Sequence, residues 1–141
     1  YHAIFYQHPV GTVGLDISVT DYKHEQKVPP WSVPGISTFS AYVGFFDKFV
    51  KRQKALTFEE AVYKTSSFVA KRHNLKGRGT IEAGSYADIL LMDYENLKVM
   101  GTPLEPRIQP KGIEYVFVNG AAVVRNAKHT GATPGRVLRR E

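Results

Sequence analysis

Apolar residues along this chain change their spacing near residue 77. Between Thr57 and Val69 they recur every three or four positions, which predicts a helix with one buried face. Thr57 and Glu60 form a capping-box pattern at its start, and Lys71 to Asn74 carry the basic residues and left-handed cap typical of a helix end. After Gly77 the spacing is that of strands, so the sequence predicts a helical first part and a β-rich second part.

Another helix is predicted just upstream, so that two or three helices occupy residues 37 to 76. Aromatic and aliphatic groups cover most of its circumference, and Ser37 or Ser40 is placed to cap its start. Such a helix must pack on two sides, as an outer helix of a barrel does, or contact a partner. Homo-oligomerisation through an exposed aromatic surface from Phe39 to Val50 is the corresponding expectation.

The clearest β signal is a hairpin. Ile113 to Val118 and Ala121 to Arg125 flank Asn119-Gly120, a dipeptide favoured in type I′ turns because it tolerates two positive φ angles. Upstream, Ile89 to Met92 is an unbroken apolar run, which predicts a strand covered on both faces. Mainly β structure is therefore expected from residue 80 to 125, followed by an irregular basic tail from Lys128.

A short strand-like run, Gly11 to Leu15, ends on Asp16. In barrels of alternating strands and helices the catalytic groups stand at the C-terminal ends of the strands, so Asp16 is a candidate catalytic residue. The alternative is that Asp16 caps a loop or helix through nearby backbone N–H groups. Residues 17 to 37 then read as a long loop able to cover a site, with Trp31 lining a pocket or pinning the loop to the core.

Composition narrows the class of protein. The chain has 141 residues, 43% of them apolar, which suffices for a folded core. No apolar run approaches the roughly 20 residues of a membrane helix, so no membrane partner is expected. The net charge of +6 is scattered or lies at helix ends, which favours a solvated surface over a nucleic-acid site.

Cysteine is absent, which excludes disulfides and thiolate chemistry and is compatible with a reducing, cytoplasmic location. The five histidines form neither a His-x-His pair nor a His-Glu-x-x-His helix, so the chain's own residues predict no metal site. The sequence also lacks a Gly-x-Ser-x-Gly elbow and a phosphate-binding glycine loop. Its start at Tyr1, without an initiator methionine, indicates a fragment.

Several stretches together resemble the C-terminal part of the N-acyl-D-amino-acid deacylases, the D-aminoacylase family of the amidohydrolase superfamily. They are His8-Pro9, Val13 to Asp16, the Thr38-Phe39 helix start, Leu56 to Val62, Gly77 to Asp93, Leu104 to Arg107, Pro110 to Gly120 and His129 to Leu138. The resemblance implies a mixed α+β fragment of a metal-dependent hydrolase. Residues 1–76 would be the last strand and closing helices of a TIM-type (β/α)8 barrel. Residues 77–141 would be the C-terminal portion of the small β-sandwich domain and its tail.

The resemblance also implies a reaction, the hydrolysis of a non-peptide carbon–nitrogen amide bond in an N-acyl-D-amino acid. A zinc-activated water would attack the acyl carbonyl, and Asp16 would accept its proton and pass it to the departing amine. The zinc ligands and the first seven barrel strands of that family lie upstream of this chain. The isolated chain is therefore expected to be inactive.

Two departures from the family pattern concern the site. Leu15-Asp16-Ile17 stands where the family has Ser-Asp-Gly, and the arginine that often precedes the helix start has no counterpart near Val33 to Ser37. Lys23 and Lys27 are the alternatives for binding the substrate carboxylate. The rival function is a non-catalytic protein-interaction module that retains the amidohydrolase tail.

Overall fold

Helices occupy the first part of the chain and one antiparallel sheet the second. The structure, a computed structural model, describes residues 2–17 and 34–139. The helices are α1 (His2–Gln7), α2 (Ile36–Phe45), the π-helix π1 (Phe46–Arg52) that continues it, α3 (Phe58–Thr65) and α4 (Ser67–Arg72). The strands β1 (Ile89–Met92), β2 (Ile113–Val118), β3 (Ala121–Arg125) and β4 (Lys128–His129) pair in chain order. The predicted α+β class is confirmed, whereas a barrel strand and a sandwich partner stay predictions.

Helix α3 begins as its sequence predicts. The Glu60 backbone N–H donates to Thr57 Oγ1 at 3.1 Å, and the Thr57 N–H donates to Glu60 Oε2 at 2.8 Å, which completes the capping box. Past α4, Asn74 and Gly77 have φ of +54° and +66°, the left-handed conformation expected at a helix end. Local capping chemistry therefore sets both ends of this helical region.

The single predicted helix is nevertheless two. At Ser66 the backbone leaves the helical region, with φ −130° and ψ −92°, and α4 starts at the next residue. The Thr65 and Ser66 hydroxyls donate to the carbonyls of Ala61 and Val62, one turn back. These side-chain bonds compete with the backbone bonds that would continue α3, which accounts for the break.

The aromatic helix is largely covered, so the expectation of an exposed aromatic surface is wrong. The buried residues of α2 and π1 are Ser40, Val43, Phe45, Phe46, Phe49 and Val50. Tyr6 of α1 packs edge-on against Phe45 and Phe49, with ring centroids 5.1 and 4.7 Å apart. The predicted serine caps are also wrong, because α2 starts at Ile36 after an extended Gly35. Homo-oligomerisation itself stays a prediction.

Contacts between π1 and the segment after β1 join the helices to the sheet. Lys51 Nζ donates to the carbonyls of Tyr94 at 3.1 Å and Glu95 at 2.7 Å, and it lies 5.4 Å from the Tyr94 ring centroid. Leu97, from the same segment, is buried in the core formed by α2, π1 and α3. The two predicted halves thus share one hydrophobic core.

The hairpin is confirmed. Asn119 and Gly120 have φ of +49° and +83°, both positive as a type I′ turn requires. The tail, by contrast, is not irregular throughout, because β4 adds a fourth strand after a turn at Asn126 and Ala127, with φ of +49° and +58°. Sequence patterns missed that turn because alanine seldom takes a positive φ.

Strand β1 is not covered on both faces, contrary to the prediction. It pairs with β2 alone among the described residues, and Leu90 and Leu91 are 46% and 53% exposed. All six residues of β2, a central strand, are half-buried. The apolar residues of β1 and β2 thus lie partly on faces of the sheet that the described residues do not cover. No helix in the described part of the chain is long and apolar enough to cross a membrane.

Candidate functional site

Asp16 lies in a segment without regular secondary structure, residues 11–17, and not at the end of a strand. Residues 11–17 form no strand within the described part of the chain, and the barrel strand predicted at Gly11 to Leu15 stays a prediction. The run lacks a neighbouring strand among the described residues with which its backbone could pair. Asp16 is exposed and has φ +44°, a conformation that aspartate adopts more readily than most residues. Its catalytic role stays a prediction.

Helix α3 anchors the segment that leads to Asp16. Lys64 is only 6% exposed, and its Nζ donates to the carbonyls of His8 at 2.8 Å and Gly11 at 3.1 Å. Thr12 Oγ1 donates in return to the Lys64 carbonyl at 3.1 Å. A buried ammonium is tolerated only with such partners. Position 11 also requires glycine, because a Cβ there would lie 1.9 Å from the Phe5 carbonyl oxygen.

An apolar groove of about 710 Å³ adjoins Asp16, and its flanking residues Leu15 and Ile17 both line it. One wall is the first part of α2, from Ser37 to Val43. The other wall is the sheet, on which one residue from each strand aligns in register across the four strands. This row consists of Leu90, Val116, Val124 and His129. The row gives the sheet an apolar face beside the candidate acid.

One buried polar atom beside the groove makes no hydrogen bond among the described residues. Ser40 Oγ is buried and has no hydrogen-bond partner among the described residues. Trp31, Lys23 and Lys27, the candidates named for the loop and the substrate carboxylate, lie outside the described residues. Because most of the residues that line the groove are apolar, the groove is suited mainly to apolar contact.

The described residues do not fit a zinc centre. In ranges 2–17 and 34–139, no three His, Cys, Asp or Glu side chains lie close enough together to hold a metal ion. A zinc site needs three or four such ligands at about 2.0–2.3 Å.

Residues from three of the stretches that carry the resemblance meet at the hairpin turn. We call Arg78, Asp88, Asn119 and Pro134 the Arg78 cluster. The Arg78 guanidinium forms an ion pair with Asp88, and its Nη2 donates to Asn119 Oδ1 at 2.7 Å. The Asn119 N–H donates to Asp88 Oδ1, and Asn119 Nδ2 donates to the Pro134 carbonyl, both at 2.8 Å. The cluster holds the sheet, the turn and the tail together.

Partial burial strengthens these contacts. The Arg78 side chain is 11% exposed, and its guanidinium lies 4.1 Å from the Tyr86 ring centroid, a favourable cation–π arrangement. The sequence assigned Arg78 no role beyond its place in the Gly77 to Asp93 stretch that carries part of the resemblance. The available signal was one arginine between Gly77 and Gly79 and one aspartate shortly before β1, but the pairing itself requires the fold.

Displaced pKa values occur just after β1. Hydrogen bonds from the Asn96 side chain and backbone lower the pKa of Asp93. Burial, with the nearby Glu95 and Glu59 carboxylates, raises the pKa of Tyr94. Neither Asp93 nor Tyr94 lines the groove, so both shifts belong to the connection between the strands.

Comparison with known proteins identifies relatives for most of the chain. No family model matches it. N-acyl-D-glutamate deacylase of Alcaligenes xylosoxydans xylosoxydans is 32% identical over 103 residues, which cover 73% of this chain and 21% of that protein. D-aminoacylase of the same organism is 39% identical over 58% of this chain and 17% of its own length. Its N-acyl-D-aspartate deacylase is 27% identical over 94% of this chain and 25% of its own length.

Solved structures agree in fold. N-acyl-D-glutamate deacylase of Bordetella bronchiseptica, complexed with zinc and a phosphonate mimic of the reaction's tetrahedral intermediate, matches with a TM-score of 0.72 and 26% identity. The match covers 86% of this chain and 23% of that structure. A D-aminoacylase structure, described as defining a novel subset of amidohydrolases, matches with a TM-score of 0.66 and 30% identity. That match covers 79% of this chain and 24% of that structure.

The class to which the chain is similar is therefore the amidohydrolases. Within that class, its relatives are the N-acyl-D-amino-acid deacylases, so the predicted resemblance is confirmed. The chain spans about a sixth to a quarter of the length of these relatives, which agrees with the predicted partial match. The N-acyl-D-glutamate deacylase structure contains zinc, and D-aminoacylase has a binuclear metal centre. Both agree with the prediction of zinc in the full-length enzyme.

Proposed function

We propose that this chain forms part of a zinc-dependent hydrolase that deacylates N-acyl-D-amino acids by cleaving their non-peptide carbon–nitrogen amide bond. The observation that carries the proposal is the fold match over 86% of the chain to a deacylase bound to a mimic of its tetrahedral intermediate. Since the chain covers so little of its relatives' length, the metal ligands would come from residues outside it. The chain alone would then lack activity.

Asp16 is our candidate for the proton acceptor in that enzyme. An exposed carboxylate beside an apolar groove can take a proton from an attacking water and return it to the leaving amine. The contacts of Lys64 and Thr12 would position this segment by fixing its backbone on α3. Lys23 and Lys27 stay our candidates for the substrate carboxylate.

A non-catalytic interaction module is the alternative, and the uncovered sheet row is the observation behind it. Half-exposed apolar residues on a central strand indicate a surface that contacts other polypeptide. In the hydrolase, that contact would be the part of the deacylase fold outside this chain. In an interaction module, it would be a separate partner, bound without zinc and without turnover.

The decisive experiment compares the 141-residue chain with the full-length product of its gene. Zinc content and hydrolysis of N-acetyl-D-glutamate, N-acetyl-D-aspartate and N-acetyl-D-leucine are measured in both, with the L-isomers as controls. We expect zinc and D-specific turnover in the full-length protein alone. A metal-free, inert full-length protein would remove the deacylase assignment and leave the interaction module as the leading account.

The role of Asp16 is tested separately in the full-length protein. Asp16→Asn removes the proton acceptor with little change in size, and we expect kcat to fall by at least about 100-fold with unchanged zinc content. Asp47→Asn, at an aspartate paired with Arg52 on π1, is the matched control. Equal activity in the two variants would assign Asp16 to the loop-capping alternative.

A further inference from the structure

The Asn119-Gly120 turn is a reactive dipeptide held by an unusual set of contacts. We infer that it is a deamidation site, that the Arg78 cluster slows its reaction in the folded chain, and that the reaction product releases the tail. Asparagine followed by glycine is the most reactive context for this modification, because glycine has no side chain to hinder attack. The inference is independent of the proposed enzymatic function.

The chemistry needs only the chain and water. The backbone nitrogen of Gly120 attacks the side-chain carbonyl carbon of Asn119, forming a new nitrogen–carbon bond. The bond from that carbon to Nδ2 breaks, and the amide leaves as ammonia with the proton lost from Gly120. Water then opens the cyclic succinimide to aspartate or isoaspartate. No oxidant, reductant or cofactor takes part.

In the folded chain every group in this reaction is already engaged. The nucleophilic Gly120 N–H donates to the Ala87 carbonyl at 3.0 Å. The leaving Nδ2 donates to the Pro134 carbonyl at 2.8 Å, and Oδ1 accepts from Arg78 at 2.7 Å. Rotation of the side chain toward the Gly120 nitrogen must break these bonds. The cluster therefore restrains the attack.

The product is incompatible with the same contacts. An aspartate at position 119 would have no donor for the Pro134 carbonyl, and two oxygens would face each other there. It would also place a second carboxylate beside Asp88, leaving one guanidinium, that of Arg78, to serve both. Because Asn119 bonds directly to the tail at Pro134, its conversion should free the tail beyond Thr130, which keeps its own bonds to Ala122 and Val123.

Rates of deamidation test the restraint. The 141-residue chain is incubated under mildly alkaline conditions, folded and in guanidinium, and conversion of Asn119 is followed by the mass change of its proteolytic peptide. We expect the folded chain to react at least about tenfold more slowly than the unfolded chain, since several hydrogen bonds must open. Equal rates in the two states would overturn the inference.

Variants locate the restraint. Folded Arg78→Gln should react at least about threefold faster than the folded wild type, whereas Arg52→Gln, at an exposed arginine paired with Asp47, should not. Circular dichroism checks folding. If Arg78→Gln does not fold, Tyr86→Leu, which removes the ring beside the guanidinium, takes its place. Matching rates in the cluster variant and the control would contradict the inference.

Release of the tail is measured by hydrogen exchange. Asn119→Asp imitates the product, and amide exchange in residues 131–135 should become at least about fivefold faster than in wild type. Asn126→Asp is the matched control, because Asn126 lies in the other asparagine turn and serves as an acceptor for the Tyr115 hydroxyl. Unchanged exchange in Asn119→Asp would show that the modification does not free the tail.

Discussion

Single residues in this chain are constrained mainly by what surrounds their backbone. Gly112 has φ +92°, and a Cβ there would lie 2.8 Å from both the Asp93 carbonyl oxygen and Leu97 Cα. Gly84 has a similar φ of +89°, but a Cβ there would meet nothing within 4 Å. The two glycines therefore separate conformational strain from steric crowding.

We predict that Gly84→Ala lowers the free energy of unfolding by about 1 kcal/mol, the cost of a left-handed alanine. Gly112→Ala should cost at least about 2 kcal/mol more, because the added methyl group collides with backbone that cannot move away cheaply. Urea denaturation of both variants measures the difference. Equal losses would mean that the backbone near residue 112 relaxes freely.

The roles of residues that could belong to a functional site were harder to predict from the sequence than the positions that require glycine. Asp16 could be named a candidate because it follows an apolar run, but that run does not form a strand within the described residues. Arg78 gave no such signal, since its partners Asp88 and Asn119 lie 10 and 41 positions further along the chain. Contacts of that separation depend on the fold and leave no local pattern.

At the scale of elements, features set by neighbouring residues could be predicted from the sequence. The break within a helix and the additional strand could not. The capping box of α3 and the Asn119-Gly120 turn rest on neighbouring residues, and both are confirmed. The break at Ser66 depends on hydroxyl bonds within one turn, and periodicity alone does not reveal it. Strand β4 was missed because its turn contains Ala127 where a glycine would have given the signal.

The connection after β1 should make stability fall at high pH. The pKa of Tyr94 is raised from its ordinary value of 10.0, chiefly by burial, so the folded state holds the phenolic proton more tightly than the unfolded state does. The associated stabilisation is complete below pH 10.0 and is lost as pH rises through the higher folded-state pKa. Urea midpoints measured on both sides of this value report the loss.

Tyr94→Phe should remove part of that alkaline loss, because the phenylalanine keeps the ring in place without a titrating hydroxyl. Tyr63→Phe, at an exposed tyrosine of α3, provides the comparison and should retain the wild-type dependence on pH. A Tyr94→Phe chain that loses stability as steeply as wild type would assign the alkaline effect to other groups.

On the scale of the whole molecule, the described residues bury their helices better than their sheet. Nine apolar residues form the buried cluster, and all but Leu97 precede the sheet region. The row of Leu90, Val116, Val124 and His129 stays open along the groove. Composition could not predict this, because an apolar strand reads the same whether its cover lies within the chain or outside it.

An open apolar row should bind the dye ANS in the isolated chain. Leu90→Gln removes apolar surface from the groove and should reduce the dye's fluorescence, without a large change in stability because the side chain is already half-exposed. Leu104→Gln, at a leucine that is exposed and does not line the groove, should leave the signal unchanged. The same fluorescence in both variants would place the dye-binding surface elsewhere.

The Arg78 cluster helps to distinguish sequence similarity that maintains the fold from sequence similarity that maintains catalysis. Its four residues come from stretches that carry much of the resemblance to the deacylases, yet their contacts close a sheet and touch no candidate acid. A descendant that had lost catalysis would still need them to fold. Similarity in these stretches is thus a record of shared architecture, and inherited chemistry must be judged at Asp16 and at the metal ligands instead.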